Sequence, residues 1–449
     1  MQRFDLIIIG AGSGNSIIGP EHDGWNIALV ERGLFGGTCL NVGCIPSKMF
    51  VYAAETAEIA KRGPELGVHT RFEGVDWPAI RDRVFGRIDP IAAGGEEYRR
   101  SLDNVTVFPH DARFVGPKQL QVGDQVITAD TIVLAAGARS LIPPIAGLDA
   151  AGFHTSDTIM RVEELPERLL VLGGGYIAAE LGSVFGSFGS EVTYLLRGTT
   201  MLRDQDHDIS RRITEIYGRR FPTHYGAAIE EVRRESGELV VQLGSGETIE
   251  GDEILVATGR IPNGSQLGVE HTGVELDGAG YVITDEYGRT TADGIWALGD
   301  ISNPVQLKHV ANHEAKVVAH NITHADQLRK MNHELIPSAV FGDPQIGSVG
   351  LTEQECEAQN LNFTAHVQDY GSAAYGWAME DSESICKLIM DNDTRLLLGA
   401  HIMGPQAPTL VQQLIQGMVF GLTVDQMAAG MYYIHPALPE VLEQALLEL

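Results

Sequence analysis

The chain opens on a short apolar run, Phe4-Asp5-Leu6-Ile7-Ile8-Ile9, which stops at Gly10-Ala11-Gly12-Ser13-Gly14-Asn15. Consecutive apolar residues bounded by glycine predict a strand buried on both faces. A second run, Asn26-Ile27-Ala28-Leu29-Val30, ends in Glu31, 21 residues after Gly10. Strand, glycine loop, strand and acid at this spacing predict the first half of a dinucleotide-binding βαβ unit. Gly10, Gly12 and Gly14 let the backbone approach a pyrophosphate, and Glu31 takes the ribose hydroxyls. Asn15 departs from the usual fingerprint, because it stands at the third glycine position. Pro20 is expected to cut the following helix short.

The pattern then repeats. Leu169-Leu170-Val171-Leu172 leads into Gly173-Gly174-Gly175-Tyr176-Ile177-Ala178, followed by a second strand, Val192-Thr193-Tyr194-Leu195-Leu196. Here the acid is missing. Leu196 stands where Glu31 stood, with Arg197 next and Arg203 six residues further on. An arginine in this place accommodates a ribose 2′-phosphate. The first unit is therefore assigned to FAD and the second to NADPH, the alternative being that Arg197 and Arg203 are ordinary solvated arginines. A further repeat, Asp130-Thr131-Ile132-Val133-Leu134-Ala135-Ala136-Gly137 and Asp252-Glu253-Ile254-Leu255-Val256-Ala257-Thr258-Gly259, ends each time in Ala-x-Gly. Small residues there allow a cofactor to approach the backbone. Gly294-Ile295-Trp296-Ala297-Leu298-Gly299-Asp300 is one more strand ending in glycine and an acid, so the first unit is expected to resume after the second is inserted into it. Beyond about residue 336 the texture becomes α+β, with strands near 338–341, 385–390 and 397–402 and helices near 408–422 and 438–448.

Candidate chemistry concentrates in Gly36-Gly37-Thr38-Cys39-Leu40-Asn41-Val42-Gly43-Cys44-Ile45-Pro46-Ser47-Lys48, which holds two of the four cysteines. In a regular helix, positions i and i+5 lie roughly 8–9 Å apart between Cα atoms, and a disulfide tolerates no more than about 7 Å. If the pair bonds, the backbone between must be distorted, with Gly43 supplying the freedom. A strained and breakable disulfide suits redox chemistry better than structure; the alternative is two reduced core cysteines. Cys356 and Cys386 have no motif around them and read as structural thiols.

Composition narrows the setting. At 449 residues the chain is too long for one core and suggests two to four domains. A formal charge of −28 argues against nucleic-acid and anionic-lipid partners. There is no run of about 18 apolar residues to span a bilayer and no targeting peptide, which makes the expected location cytoplasmic. No residues are assigned to a metal. Lysine is scarce, seven against 25 arginines, which draws attention to each one.

With these motifs in this order, the chain resembles the pyridine nucleotide–disulfide oxidoreductases over essentially its whole length. The resemblance implies an α/β fold of two nested dinucleotide-binding Rossmann-like domains plus a C-terminal α+β dimerisation domain. The boundaries expected are 1–150 for the first part of the FAD domain, 151–272 for the inserted NADPH domain, 273–335 for the central part and 336–449 for dimerisation. It implies electron flow from NADPH through FAD to a Cys39–Cys44 disulfide, then to a substrate disulfide.

By the same resemblance Cys44 is the thiolate against the flavin and Cys39 attacks the substrate. Lys48 lies at the flavin and Glu180 pairs with it. Asp300 takes the ribityl chain, and Gly37, Thr38, Ala112, Ala136, Gly137 and His309 complete the FAD contacts. Gly173, Gly175, Tyr176, Ile177, Glu180 and Gly259 join Arg197 and Arg203 at NADPH. Ile434-His435-Pro436-Ala437-Leu438-Pro439-Glu440 matches the family segment in which the histidine is the general acid–base and the glutamate orients it. The family's active sites are shared between the subunits of a homodimer.

Several segments are similar to the branch of the family that reduces mycothione, the disulfide of mycothiol: Gly12-Ser13-Gly14-Asn15-Ser16, Lys308-His309-Val310-Ala311-Asn312-His313-Glu314, Gln368-Asp369-Tyr370, Ala374-Tyr375-Gly376-Trp377-Ala378-Met379-Glu380-Asp381 and the His435 segment. The expected substrate is therefore this low-molecular-weight disulfide. Alternatives are a dihydrolipoamide dehydrogenase or glutathione-reductase-like enzyme, which Leu196-Arg197 and the shortened helix after Asn15 respectively disfavour, and a flavin-binding interaction protein without turnover, which would not need the intact catalytic set.

Overall fold

A computed structural model describes residues 1–449. Packing divides the chain into two units, one of residues 1–49, 78–141 and 259–333, the other of residues 50–77, 142–258 and 334–449. In the first, the strand Gln2–Ile9 lies between the parallel strands Ile27–Val30 and Gln125–Leu134, with Val105–Phe108 outside Ile27–Val30. Leu6, Ile7, Ile8, Ile27, Leu29, Ile132 and Val133 are fully buried, which is why these runs carry no polar alternation. The C-terminal half of Gln125–Leu134 takes Ile295–Ala297 as a parallel neighbour, so the chain returns to this sheet after its insertion. Its N-terminal half pairs with the antiparallel meander Ala112–Gly116 and Gln119–Val122. The helix Lys308–Thr323 lays Ala315, Val318 and Ala319 against Leu6 and Ile8.

The helix expected after the first glycine loop is shorter than Pro20 alone requires. It is a single 3-10 helix, Ser13–Ile17, after which Ile18 is extended and Pro20 opens a separate turn, Pro20–His22. The buried Arg99 closes the truncated end, donating to Asn15 Oδ1 and to the Asn15 carbonyl at 2.7 Å each, and to the Ile18 carbonyl at 3.5 Å. A side chain thus satisfies carbonyls that a longer helix would have bonded internally.

In the second unit, four parallel strands run in the order Thr223–Tyr225, Glu191–Leu196, Arg168–Leu172, Glu253–Val256, beside a three-stranded meander, Ile229–Glu235, Glu238–Leu243 and Thr248–Gly251. Here the helix after the glycine loop is complete, Tyr176–Phe188, and ends at Gly189 with φ 115°. The same unit contains a five-stranded antiparallel sheet ordered Ser338–Val340, Ile346–Gly350, Leu397–Met403, Ile385–Asp391, Phe363–Asp369. The helices Ala407–Val419, Val424–Ala429 and Pro439–Leu447 share a core with it through Leu388, Ile402, Leu414, Val424 and Leu442.

By packing, residues 142–150 go with the second unit and 259–272 with the first. A small two-stranded sheet in which Arg260–Pro262 pairs with Ala138–Ser140 keeps the second of these segments in the first unit, while the first is bridged to the meander through Ala146 and Glu231. No helix is long and apolar enough to cross a membrane.

Candidate active site

The two glycine loops are tied to the Ala-x-Gly strands in the same way. Gly10 has φ 108°, and a Cβ there would lie 2.2 Å from the Ala135 carbonyl oxygen. Gly173 has φ 126°, and its Cβ would lie 2.3 Å from the Ala257 carbonyl oxygen. Only glycine fits a left-handed turn this close to backbone. In the first loop a Cβ on Gly37 would meet Gly12 Cα at 2.8 Å, and Gly137, at φ 64°, faces open space. Bare backbone at Gly10, Gly12, Gly37 and Gly137 suits a dinucleotide phosphate.

The third glycine role falls to Gly14, not to position 15. A Cβ on Gly14 would lie 2.7 Å from Ala135 Cβ and 3.0 Å from Ile8 Cγ2, whereas Asn15 turns its amide to Arg99. Because the loop continues into a 3-10 turn, the close approach comes one residue early. Glu31 ends its strand with both oxygens engaged, accepting from the Ala11 N–H at 2.7 Å and the Gly33 N–H at 2.8 Å. Asp300 follows Ile295–Ala297 in the turn Gly299–Ile301, where burial holds its carboxyl above the usual range while Arg260 and Lys308 act in the opposite sense. His309 is exposed on the first turn of Lys308–Thr323, and Thr38 on the short helix Gly37–Asn41. Ala112 is buried in the core and offers a ligand only its backbone. Ala136 is half-buried beside Gly137.

In the second loop Gly175 faces open space at the N-terminus of Tyr176–Phe188, with no side chain capping the first turn. Uncapped N–H groups at the start of a 13-residue helix suit a phosphate. Tyr176 is exposed and Ile177 half-buried beside them, Ala178 is buried at the third position, and Gly259 follows Thr258 at φ 129°. Arg197 and Arg203 are both exposed beyond the end of Glu191–Leu196, and Arg203 lies 3.5 Å from Asp204. The residues present thus fit a phosphorylated dinucleotide.

Cys39 and Cys44 straddle a break between two helices. Gly37–Asn41 ends at Val42, with φ −144°, and Cys44 is the first residue of Cys44–Arg62. Gly43 serves this break by closeness and not by unusual torsion: its Cβ would lie 2.9 Å from the Thr38 carbonyl oxygen and 3.3 Å from Cys39 Cα. Asn41 locks the turn, donating to the Phe35 carbonyl at 2.8 Å and the Gly37 carbonyl at 3.0 Å. The two cysteines are not joined as a disulfide here. The hydrogen bond to Cys44, then burial and the charge of Cys44, push the Cys39 thiol up, and Lys308 pulls it back. Cys44, at the head of a 19-residue helix, is the sulfur better placed to hold negative charge. The dithiol is therefore asymmetric.

The sequence alone assigns Lys308 no role; the scarcity of lysine in the chain is its one signal. Its ammonium donates to Ser13 Oγ at 2.8 Å, bridging the glycine loop to the first turn of Lys308–Thr323. Lys48 lies one turn beyond Cys44 and is half-buried, its Nζ 3.4 Å from Ser47 Oγ.

In the second unit Glu180 is buried and accepts from the Phe341 N–H at 2.9 Å. His435 Nδ1 lies 2.6 Å from Glu440 Oε1, and Glu440 Oε2 accepts from the Ala437 N–H at 3.1 Å. The bond to His435 holds the Glu440 carboxyl below the usual range. The histidine side chain is 73% exposed, beside exposed Tyr432 and Ile434.

Residues 4–315 match the family model described as pyridine nucleotide-disulphide oxidoreductase, and residues 336–446 match that family's dimerisation domain. Mycothione reductase of Mycobacterium tuberculosis is 47% identical over 461 residues, covering 100% of both chains. Glutathione reductase of Burkholderia cepacia is 33% identical, covering 98% of each. The solved structure of the HOCl-induced flavoprotein disulfide reductase RclA from Escherichia coli superposes with a TM-score of 0.87 at 26% identity, covering 98% of this chain and 99% of that one. With two glycine loops, a paired dithiol and matches over nearly the whole length, the chain belongs to the pyridine nucleotide–disulfide oxidoreductases, and it is an FAD- and NADPH-dependent flavoprotein disulfide reductase.

Proposed function

We propose that this enzyme reduces mycothione to two molecules of mycothiol at the expense of NADPH. One observation carries the substrate assignment: the full-length 47% identity to a mycothione reductase, against 33% to a glutathione reductase. The dithiol geometry supports the chemistry.

The first glycine loop, Glu31 and Asp300 would hold FAD, with Lys48 from the same unit at its ring, and the bound flavin would supply the two-electron relay from NADPH to the cysteine pair; Glu180 would stand at the NADPH loop. The rest falls to the protein's own groups. Cys39 gives its proton to His435 and attacks one sulfur of the substrate disulfide; a Cys39–substrate bond forms, the substrate S–S bond breaks, and the first thiolate leaves as a thiol by taking that proton from His435. The Cys44 thiolate then attacks the Cys39 sulfur, which expels the second thiolate, to be protonated from solvent, and leaves the cysteines as a disulfide. Glu440 orients the imidazole.

The exposure of His435 on a single chain supports a homodimer in which it serves the cysteines of the partner subunit. Steady-state turnover with NADPH against mycothione, glutathione disulfide and lipoamide tests the substrate. Mycothione should have the highest kcat/KM; a preference for either other disulfide overturns the assignment.

A further inference from the structure

The turn that carries Arg203 is a poor platform by itself. Leu202 has φ 48°, a left-handed conformation that costs a branched residue energy, and the Gln205 N–H closes the turn on the Leu202 carbonyl at 2.9 Å. Arg203 is 73% exposed. Something must hold this turn if its arginine is to meet a phosphate repeatedly in one place.

Two sets of contacts do so. On one side the Leu202 N–H donates to the Gly174 carbonyl at 2.7 Å, which ties the turn to the second glycine loop. On the other side the ties come from the strand Ile346–Gly350 of the C-terminal sheet and the short helix Glu353–Ala358 that follows it. Ser348 Oγ donates to Gln205 Oε1 at 2.8 Å, Gln354 Nε2 donates to the Gln205 carbonyl at 3.0 Å, and the His207 N–H donates to Gln354 Oε1 at 3.3 Å. Asp206, fully buried, accepts from the Glu353 N–H at 3.0 Å and from Lys387 Nζ at 2.8 Å, while also capping the helix His207–Arg220. Lys387 is 1% exposed and spends its donors on Asp206, Asp208 and Glu353.

We infer that Ser348, Gln354 and Lys387 are positioning residues for coenzyme selectivity: from the C-terminal sheet region they hold the turn that presents Arg203 to the 2′-phosphate of NADPH. The inference rests on the assignment of Arg197 and Arg203 to that phosphate. A buried ammonium with three carboxylate neighbours is a costly arrangement for stability alone; here it also fixes a coenzyme loop through residues far away in sequence.

Lys387→Met would strand buried carboxylates and could unfold the chain, so the deciding variant is Ser348→Ala/Gln354→Ala, which removes hydrogen bonds and no charge. The probes are 2′,5′-ADP and ADP, with affinities measured by calorimetry on the FAD-loaded dimer, together with KM and kcat for NADPH. The double variant should bind 2′,5′-ADP about five- to tenfold more weakly and ADP unchanged, with KM for NADPH rising in parallel and kcat at saturation retained. Unchanged 2′,5′-ADP binding, or equal loss of both probes, overturns the positioning role. Arg197→Ala/Arg203→Ala is measured alongside. If that variant keeps its 2′,5′-ADP affinity, the arginine assignment itself falls; if it loses affinity while the Ser348/Gln354 variant does not, only the positioning role falls.

Discussion

His435 Nδ1 sits 2.6 Å from Glu440 Oε1, and the imidazole they hold in place projects from a largely exposed position. The proposal that this imidazole is a general acid serving the partner subunit's dithiol is open to a mixing test. Homodimers of Cys44→Ser should be inactive, and homodimers of His435→Ala slowed by about 10²–10⁴-fold. Equal co-refolding gives about half heterodimers, each with one whole site, so the mixture should regain about a quarter of wild-type activity. Activity that stays at the level of the separate variants, with heterodimers confirmed by mass, refutes sharing.

The asymmetry of the dithiol leads to a spectroscopic expectation. Mild two-electron reduction should produce long-wavelength absorbance from the Cys44 thiolate beside the flavin. Cys44→Ser should retain FAD and lack the band, whereas Cys39→Ser should keep a thiolate at position 44 and show it. A band of full intensity without Cys44 would reverse the two roles.

Coenzyme choice should respond to the exposed arginines. Each charge-assisted contact with the 2′-phosphate is worth about 1.5–3 kcal/mol, so losing both should raise KM for NADPH by about a hundredfold or more. The weak use of NADH should hardly move. Comparable losses with both coenzymes would point to a general role for the loop.

Stability should carry the mark of the buried cluster in its pH dependence. Burial opposes ionisation of Asp206 and Asp208, yet the bonds from Lys387, joined by the Glu353 and Asp208 N–H groups at Asp206 and by Arg211 at Asp208, together outweigh it and hold both below the usual range. A lowered carboxyl pKa contributes stability above the unfolded value, near pH 4, and loses it as pH falls through the folded value. Asp206→Asn should therefore cost about 2–3 kcal/mol at pH 7, and its deficit should narrow towards pH 3. Thermal midpoints of the two proteins across that range provide the measurement; a constant gap would show that Asp206 acts without its charge.

Much of this was legible in the chain because it depends on local rules. Apolar runs ending at glycine announced the strands Gln2–Ile9 and Arg168–Leu172, and Leu196 in the place of an acid announced a different coenzyme. Gly14 and Gly43 were harder. The first takes its role from a 3-10 turn that shifts the register by one, and the second from a backbone approach that torsion propensities do not encode. The Lys387 cluster was hidden because its members lie at 206, 208, 353 and 387, and Lys387 itself sits inside an apolar strand that reads as plain core. Arg99 escaped for a similar reason: its partners are backbone carbonyls exposed only when the preceding helix is truncated.

The matched collisions at Gly10 and Gly173 have a consequence visible to the eye. A methyl group at either site would strike a carbonyl oxygen 2.2 or 2.3 Å away, so the two alanine substitutions are lesions of the same shape in different halves of one circuit. Gly10→Ala should yield a colourless protein, since the flavin has nowhere to settle. Gly173→Ala should yield a yellow one that dithionite bleaches and NADPH does not. Two tubes on a bench would then tell which half of the duplicated chain feeds electrons in and which half stores them.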